Sequence, residues 1–379
     1  MMGTGHRFIS FTALAMLLFI TLFLMLPADA VPAFSRRAGG VSCNMCHWHQ
    51  NALNATGKQY LQSGVRLPGE QADVTASDFK VGDYASLVLA PNLSAVEHDG
   101  TVFSAGDAVL WLGGPVDNLF SALAEVEFKI DDEEVEVEEV YVHFVSDLGN
   151  NYFSARFGQF QPFLFLSNVS GPPRITLSRP EVMSGRATND NTFRPRNRLR
   201  GIELGAVDGP LAGYVGLGNG TGQNASDNHM DVYVTVERAF GTQGSSIGAW
   251  AYWGEAVLTG GFRDSFERYG VIGNYTAQKT RAVGGLLFGD NEDPGGADLD
   301  NDGWFLEIDQ RVGVDTVAYF RWDEFNRDLA AGGERETDGP TLGISWTPTE
   351  LSRFTIEAQS LDTDGTDVDS IVVEMHLAI

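Results

Sequence analysis

The chain has 379 residues, of which 51 are acidic and 25 basic, giving a formal net charge of −26. So acidic a balance argues against nucleic acid as a partner and for cations. The length admits one large domain or two to three ordinary ones, and Cys43 and Cys46 are the only cysteines.

The first element is an export signal. Met1 to Arg7 is followed by an apolar run from Phe8 to Leu26 and then by Ala28-Asp29-Ala30, which marks residues 1–30 as a secretory signal cut after Ala30. The apolar run approaches the ~18 residues of a membrane helix, so a retained anchor is the alternative reading. The Ala-x-Ala site favours cleavage. No later stretch is long and apolar enough for a spanning helix.

The second element, 31–78, carries Cys43-Asn44-Met45-Cys46-His47. Two thiols at this spacing add across the two vinyl groups of a haem, and the adjoining His47 is placed to ligate its iron. A zinc site would need about four ligands, and only His49 lies close by. A disulfide between these cysteines would leave His47 unexplained. A helix is expected within Asn51 to Gly64, with Ala52, Leu53, Tyr60 and Leu61 as its apolar positions. This segment is too small to hold a core without its haem and a second surface. The distal iron ligand is open among His143, His49 and Met183, with His98 and His229 in long loops behind them. His49, two residues after His47, is expected to point away from the same haem face.

Pro32-Ala33-Phe34-Ser35-Arg36, the Gly-Gly pair, Cys43-x-x-Cys46-His47, Leu53-Asn54, Gly57-Lys58 and Gly64 resemble the haem segment of the fused monohaem cytochrome–porins of iron-oxidising bacteria. The match covers about 35 residues by count of the quoted stretch. Arg37, Asn51 and Tyr60 depart from the family's pattern. The resemblance implies a c-type haem segment ahead of an outer-membrane barrel, an extracellular Fe(II) donor and a periplasmic c-type cytochrome as acceptor.

The third element, 79–379, is rich in glycine and breaks into segments of period-two alternation. Trp304, Leu306 and Ile308 alternate with Glu307, Asp309 and Arg311; Ala124, Val126 and Phe128 alternate with Glu125, Glu127 and Lys129. The last segment puts Ile371, Val373, Met375, Leu377 and Ile379 on one face and Glu374 and His376 on the other. Sixteen such segments, from 81–90 and 104–113 through 137–146 to 370–379, are joined by alternating short and long connections. The expected fold is therefore all-β: a transmembrane outer-membrane barrel of ~16 strands in contact with lipid, preceded by a small helical or irregular haem segment, with both barrel ends periplasmic. Phe157 to Phe163 also resembles a strand end of phosphate-selective-type porins.

Acidic outer loops are expected at Asp131–Glu139, at Asp290–Asp302 and at Asp362–Asp369. Carboxylates there concentrate hard cations. Asp298-x-Asp300-x-Asp302-Gly303 copies the start of a Ca2+ loop, although its twelfth position is Asp309. The longest connection, 161–197, sits where porins often fold a loop inward. Its Arg194 and Arg196, with Arg198 and Arg200 after it, recur every second residue, so an extended chain would aim all four one way, toward Glu125, Glu127 and Glu139 or toward haem propionates.

The reading that joins these elements is an electron conduit, with 31–78 plugging the barrel 79–379 and one haem part-way across the membrane. Its rivals are a cation-preferring porin with a separate periplasmic cytochrome segment, and a conduit that delivers electrons outward. Nothing in the sequence marks a hydrolase or a transferase; any enzymatic activity would be Fe(II) oxidation.

Overall fold

The computed structural model describes residues 33–379 except 38, 50–51, 68–69, 71–79, 98, 147–150, 163–173, 187–190, 221–228, 259, 293–297 and 331. The signal at 1–30 and His98 lie outside the described residues. Val31 to Ile379 forms one compact unit.

Sixteen strands, β3 (Ala85–Val96) to β18 (Thr366–Ala378), make a closed antiparallel barrel in which each strand pairs with its neighbours in sequence. The ring shuts where β18 pairs β3, from Ser370 opposite Val96 to Ala378 opposite Val88. Closure leaves no free sheet edge. The strands run from 9 residues in β9 (Leu211–Asn219) to 16 in β4 (Gly100–Pro115) and β16 (Glu334–Thr349). A tilted strand of about 9–11 residues crosses a bilayer, so the taller hairpins extend past it.

The expected alternation sets the two faces. In β14 (Asp298–Arg311) Leu306 and Ile308 are exposed, whereas Glu307 and Asp309 are buried in the lumen. Phe153, Phe157, Leu204, Val271, Phe320 and Ile371 continue an exposed apolar outer surface. Apolar outside and polar inside is the pattern of a barrel that meets lipid. Among the described residues no helix is long and apolar enough to cross a membrane.

Three expectations about the hairpins are corrected. The segments expected at 81–90 and 104–113 continue to Val96 and back from Gly100, so that only three residues separate the strands. The acidic stretch expected as an outer loop at 131–139 is strand from Glu134 onward, in β6 (Glu134–Val145). β17 (Ser352–Thr363) and β18 likewise rise to a tight turn at Asp364 and Gly365. Backbone ladders continue beyond the apolar belt, where side chains of any polarity meet water, so acids there do not signal a loop.

The proposed Ca2+ loop is also corrected. Asp298, Asp300 and Asp302 lie in β14, paired throughout with β13 (Thr280–Glu292), and all three are exposed on one outward face. Asp309 is buried on the opposite, inner face. A straight strand separates successive same-face carboxylates by roughly 6.7 Å and does not wrap them around one ion.

One end of the barrel carries tight turns such as 209–210, 278–279 and 350–351, together with both ends of the barrel chain. The other carries the connections 161–198 and 220–230.

Candidate functional site

The described residues of 33–67 occupy the short-turn end of the lumen. The segment comprises α1 (Ala33–Arg37), a 3-10 turn at Cys43–Met45, the short strands β1 (His47–His49) and β2 (Ala52–Leu53), and α2 (Ala55–Gln62). The helix expected within Asn51–Gly64 thus starts later. Ala52 and Leu53 pair with β1, and Asn54 caps the helix, its Oδ1 accepting from Gly57 N at 3.1 Å.

The turn at Cys43–Met45 and the helix are built as one piece. Asn54 donates from Nδ2 to the carbonyls of Asn44 and Met45 at 3.2 and 3.0 Å, and from its backbone N to Cys46 O at 2.9 Å. Gly57 passes directly over the Cys46 carbonyl. At the far end of α2, Gly64 has φ +76 and abuts Ser121 and His143 on the wall.

The piece is fastened to walls on both sides of the lumen. Lys58 reaches Ser246 Oγ at 2.7 Å, Asn274 Oδ1 at 3.0 Å and Glu237 at 3.5 Å, on β10 (Asp231–Phe240), β11 (Ser245–Val257) and β12 (Arg263–Ala277). Arg66 donates to Asn118 O at 2.6 Å, in the turn before β5 (Phe120–Lys129). Arg37 donates to Tyr60 Oη at 2.8 Å and Glu70 Oε1 at 2.8 Å.

A cleft of about 560 Å3 opens beside the motif, within the usual range of ligand pockets. Cys43, His47, His49, Arg311 and Glu350 are among its lining residues. Both thiols are free and half-buried. Glu350, in the turn between β16 and β17, accepts from Ser42 Oγ and, at 3.4 Å, from Cys43 N. Burial, and then the Glu350 carboxylate, raise the Cys43 thiol to about 11. Burial lowers His47 to about 4, which leaves its imidazole neutral, the form that ligates metals. Its Nδ1 is buried without a hydrogen-bond partner among the described residues.

Trp48 is 4% exposed and packs with Ala52, Ile175, Val317 and Tyr319. Ile175 belongs to the connection 161–198, whose described residues lie in the lumen, as expected of an inward-folded loop. Val182 and Met183 of the short helix α3 (Glu181–Ser184), with Phe193, sit in a cluster with Tyr252, Phe266 and Phe325 of the wall. The N-terminal segment and this loop thus meet at Trp48.

The expected site residues separate. Cys43, His47 and His49 line the cleft, whereas Met183 is sealed in the loop's apolar cluster. His143 is buried beside Gly64, with both ring nitrogens unpartnered among the described residues, and does not line the cleft. His229 pairs with Glu255 at 3.0 Å at the long-connection end. His49 follows His47 across an irregularity in the β1–β2 pairing and lines the same cleft, with Nε2 3.4 Å from Ser345 Oγ. Burial, then Arg311 and Arg353, hold His49 down at about 4.

The arginine row is corrected too. Residues 195–196 form a turn, and Arg200 is exposed on β8 (Leu199–Asp208), bonded to Gln159 at 2.7 Å. Among the described residues of the row, Arg198 alone meets an expected acid, Glu125 at 3.8 Å, and it lies closer to Glu138, which is not among those expected. A bulge between Glu125 and Val126 brings Glu127, Glu136 and Glu138 within 4.8 Å of one another. Sequence reasoning did not single out Glu350, Arg311 or Ser345. They reach the cleft only through barrel closure, and no local signal marks them.

No family model and no curated protein sequence matches the chain. Solved structures do. The anion-selective porin from Comamonas acidovorans is 14% identical, with 78% of this chain and 98% of that one covered and a TM-score of 0.63. A loop L8 deletion mutant of OmpT, an outer membrane protein of Vibrio cholerae, is 13% identical over 78% and 98%, with a TM-score of 0.60. Salmonella typhi OmpF, in complex with daunomycin, is 11% identical over 78% and 97%, with a TM-score of 0.55. The fold is that of the sixteen-stranded outer-membrane porins.

Proposed function

We propose that this barrel is an outer-membrane electron conduit that holds one covalent c-type haem in the cleft at its short-turn, periplasmic mouth. The observation that carries the reading is the placement of Cys43-x-x-Cys46-His47. The motif lies in a segment fastened across the lumen from Asn118 to Ser246 and Asn274, beside a cleft of about 560 Å3. The residues fit the group: two free thiols to tether it, and a neutral imidazole to ligate its iron.

When bound, the haem accepts and releases one electron. The chain supplies the rest. Cys43 and Cys46 fix the group, Asn54 and Glu350 hold the attachment turn, and Trp48 with Tyr319 and Ile175 closes the path behind it. By resemblance the donor is extracellular Fe(II) and the acceptor a periplasmic c-type cytochrome. The acids Glu127, Glu136 and Glu138 favour cations along the route, offset in part by Lys129 and Arg198.

The test is expression with cytochrome c maturation. A covalent pigment on a denaturing gel, lost in Cys43→Ala/Cys46→Ala and reduced by Fe(II), supports the reading. Pigment that Fe(II) fails to reduce but ferric acceptors oxidise turns the conduit outward.

The porin likeness of the barrel favours a second reading, a cation-preferring channel. Planar-bilayer recording separates them: an open-channel current from the intact protein supports the porin, and a closed barrel supports the conduit.

A further inference from the structure

Arg311, at the end of β14, is the one arginine among the residues lining the cleft. Its guanidinium carbon lies 4.6 Å from the Trp48 ring centroid, and its Nε is buried without a hydrogen-bond partner among the described residues. The neighbouring inward arginines each have a carboxylate. Arg281 meets Asp309 at 2.8 Å, Arg321 meets Asp323 at 2.6 Å, and Arg353 meets Glu374 at 2.9 Å. No described carboxylate lies within ion-pair distance of Arg311. Asp315 and Glu350 line the same cleft without reaching it.

A buried guanidinium nitrogen without an acceptor is costly. A carboxylate that fills the fork in a bidentate pair removes that cost. We propose that Arg311 is the anion anchor of the cleft and takes a carboxylate of the group tethered at Cys43 and Cys46. The inference rests on the reading of that group as a haem, whose anionic substituents are its propionates. It assigns their partner to the short-turn wall, away from the arginines of 174–200.

Arg311 is a positioning residue: it acts on the iron through the propionate. Pairing hides a negative charge from the iron, and its loss favours the oxidised state. The experiment is a spectroelectrochemical titration of the matured full-length protein, wild type against Arg311→Gln and Arg311→Lys, repeated across the pH range in which a propionate titrates. Arg311→Gln is expected to keep its covalent pigment while its midpoint potential falls and becomes more pH-dependent, with Arg311→Lys partly restoring both. The control is Arg335→Gln, which removes the same charge at the other end of the barrel, where Arg335 pairs with Asp364 at 3.0 Å. It is expected to leave the potential unmoved. A wild-type potential and pH profile in Arg311→Gln overturns the anchor and leaves the haem reading standing. Absence of covalent pigment from the wild type overturns both.

Discussion

A Cβ at Gly57 would lie 2.1 Å from the carbonyl oxygen of Cys46 and 2.9 Å from Leu53 Cδ2. The first contact is with backbone, which no rotamer change relieves. Helix α2 and the turn at Cys43–Met45 can therefore share one rigid piece only with glycine at this position. Gly57→Ala is expected to push them apart at a cost of about 1–3 kcal/mol. The check is limited proteolysis, with cleavage within 33–67 appearing earlier while the barrel keeps its resistance to heat in detergent.

Lys58 carries the fastening of α2 to the wall. Its ammonium is buried with Glu237, Ser246 and Asn274, and burial lowers its pKa despite the carboxylate beside it. Removing one member of a buried pair strands the other, at about 3–5 kcal/mol. Lys58→Ala is expected to release the segment from the lumen and raise barrel conductance in planar bilayers. Lys58→Met with Glu237→Leu, which strands no charge, is expected to recover most of the closure. Equal currents from Lys58→Ala and wild type would show that the segment is held by other contacts.

Trp48 joins the two occupants of the lumen, since the residues it buries belong to the N-terminal segment (Ala52), the inward loop (Ile175) and the wall (Val317 and Tyr319). It also donates to Gln278 O at 3.1 Å. Trp48→Ala leaves a cavity where three elements meet, at about 3–5 kcal/mol. Faster amide exchange is expected in both 44–53 and 174–186, measured by mass spectrometry. Exchange confined to one of them would show that the loop and the segment do not depend on each other.

Much of the barrel is legible in the sequence because one physical rule, apolar out and polar in, acts on every other residue at membrane depth. Leu306, Glu307, Ile308 and Asp309 show it without ambiguity. The rule lapses above the membrane, which is why Glu134 to Glu138 and Asp298 to Asp302 read as loop and prove to be strand. Arg194 to Arg200 fail for a different reason. The alternation is present, but Pro195 fixes its own φ and lacks an N–H, and a turn at 195–196 breaks the row. Of the site, Cys43, Cys46 and His47 are legible as a motif. Glu350 and Arg311 are more than 260 residues away along the chain, by their numbering, and nothing local ties them to it.

The inward loop depends on Arg321 as the N-terminal segment depends on Lys58. Arg321 is fully buried, is paired with Asp323 at 2.6 Å and lies 3.8 Å from Glu307. Its Nη atoms donate to Thr176 Oγ1 at 3.1 Å, to Ser178 O and Oγ at 3.0 and 2.9 Å, and to Arg179 O at 3.2 Å. One side chain thus satisfies four acceptors of the loop while balancing carboxylates on its own wall. Arg321→Met removes the donors and strands the buried Asp323 without its ion-pair partner, while Glu307 keeps Arg281 at 3.8 Å, a loss of about 3–5 kcal/mol. Barrel assembly is expected to survive, because the strand ladder of β15 (Thr316–Asp328) uses backbone groups alone. The loop is expected to come free: protease cleavage within 174–186 should appear in folded protein, where wild type is protected. Unchanged protection would place the loop's anchorage in the apolar cluster of Val182, Met183 and Phe193 and not in this guanidinium.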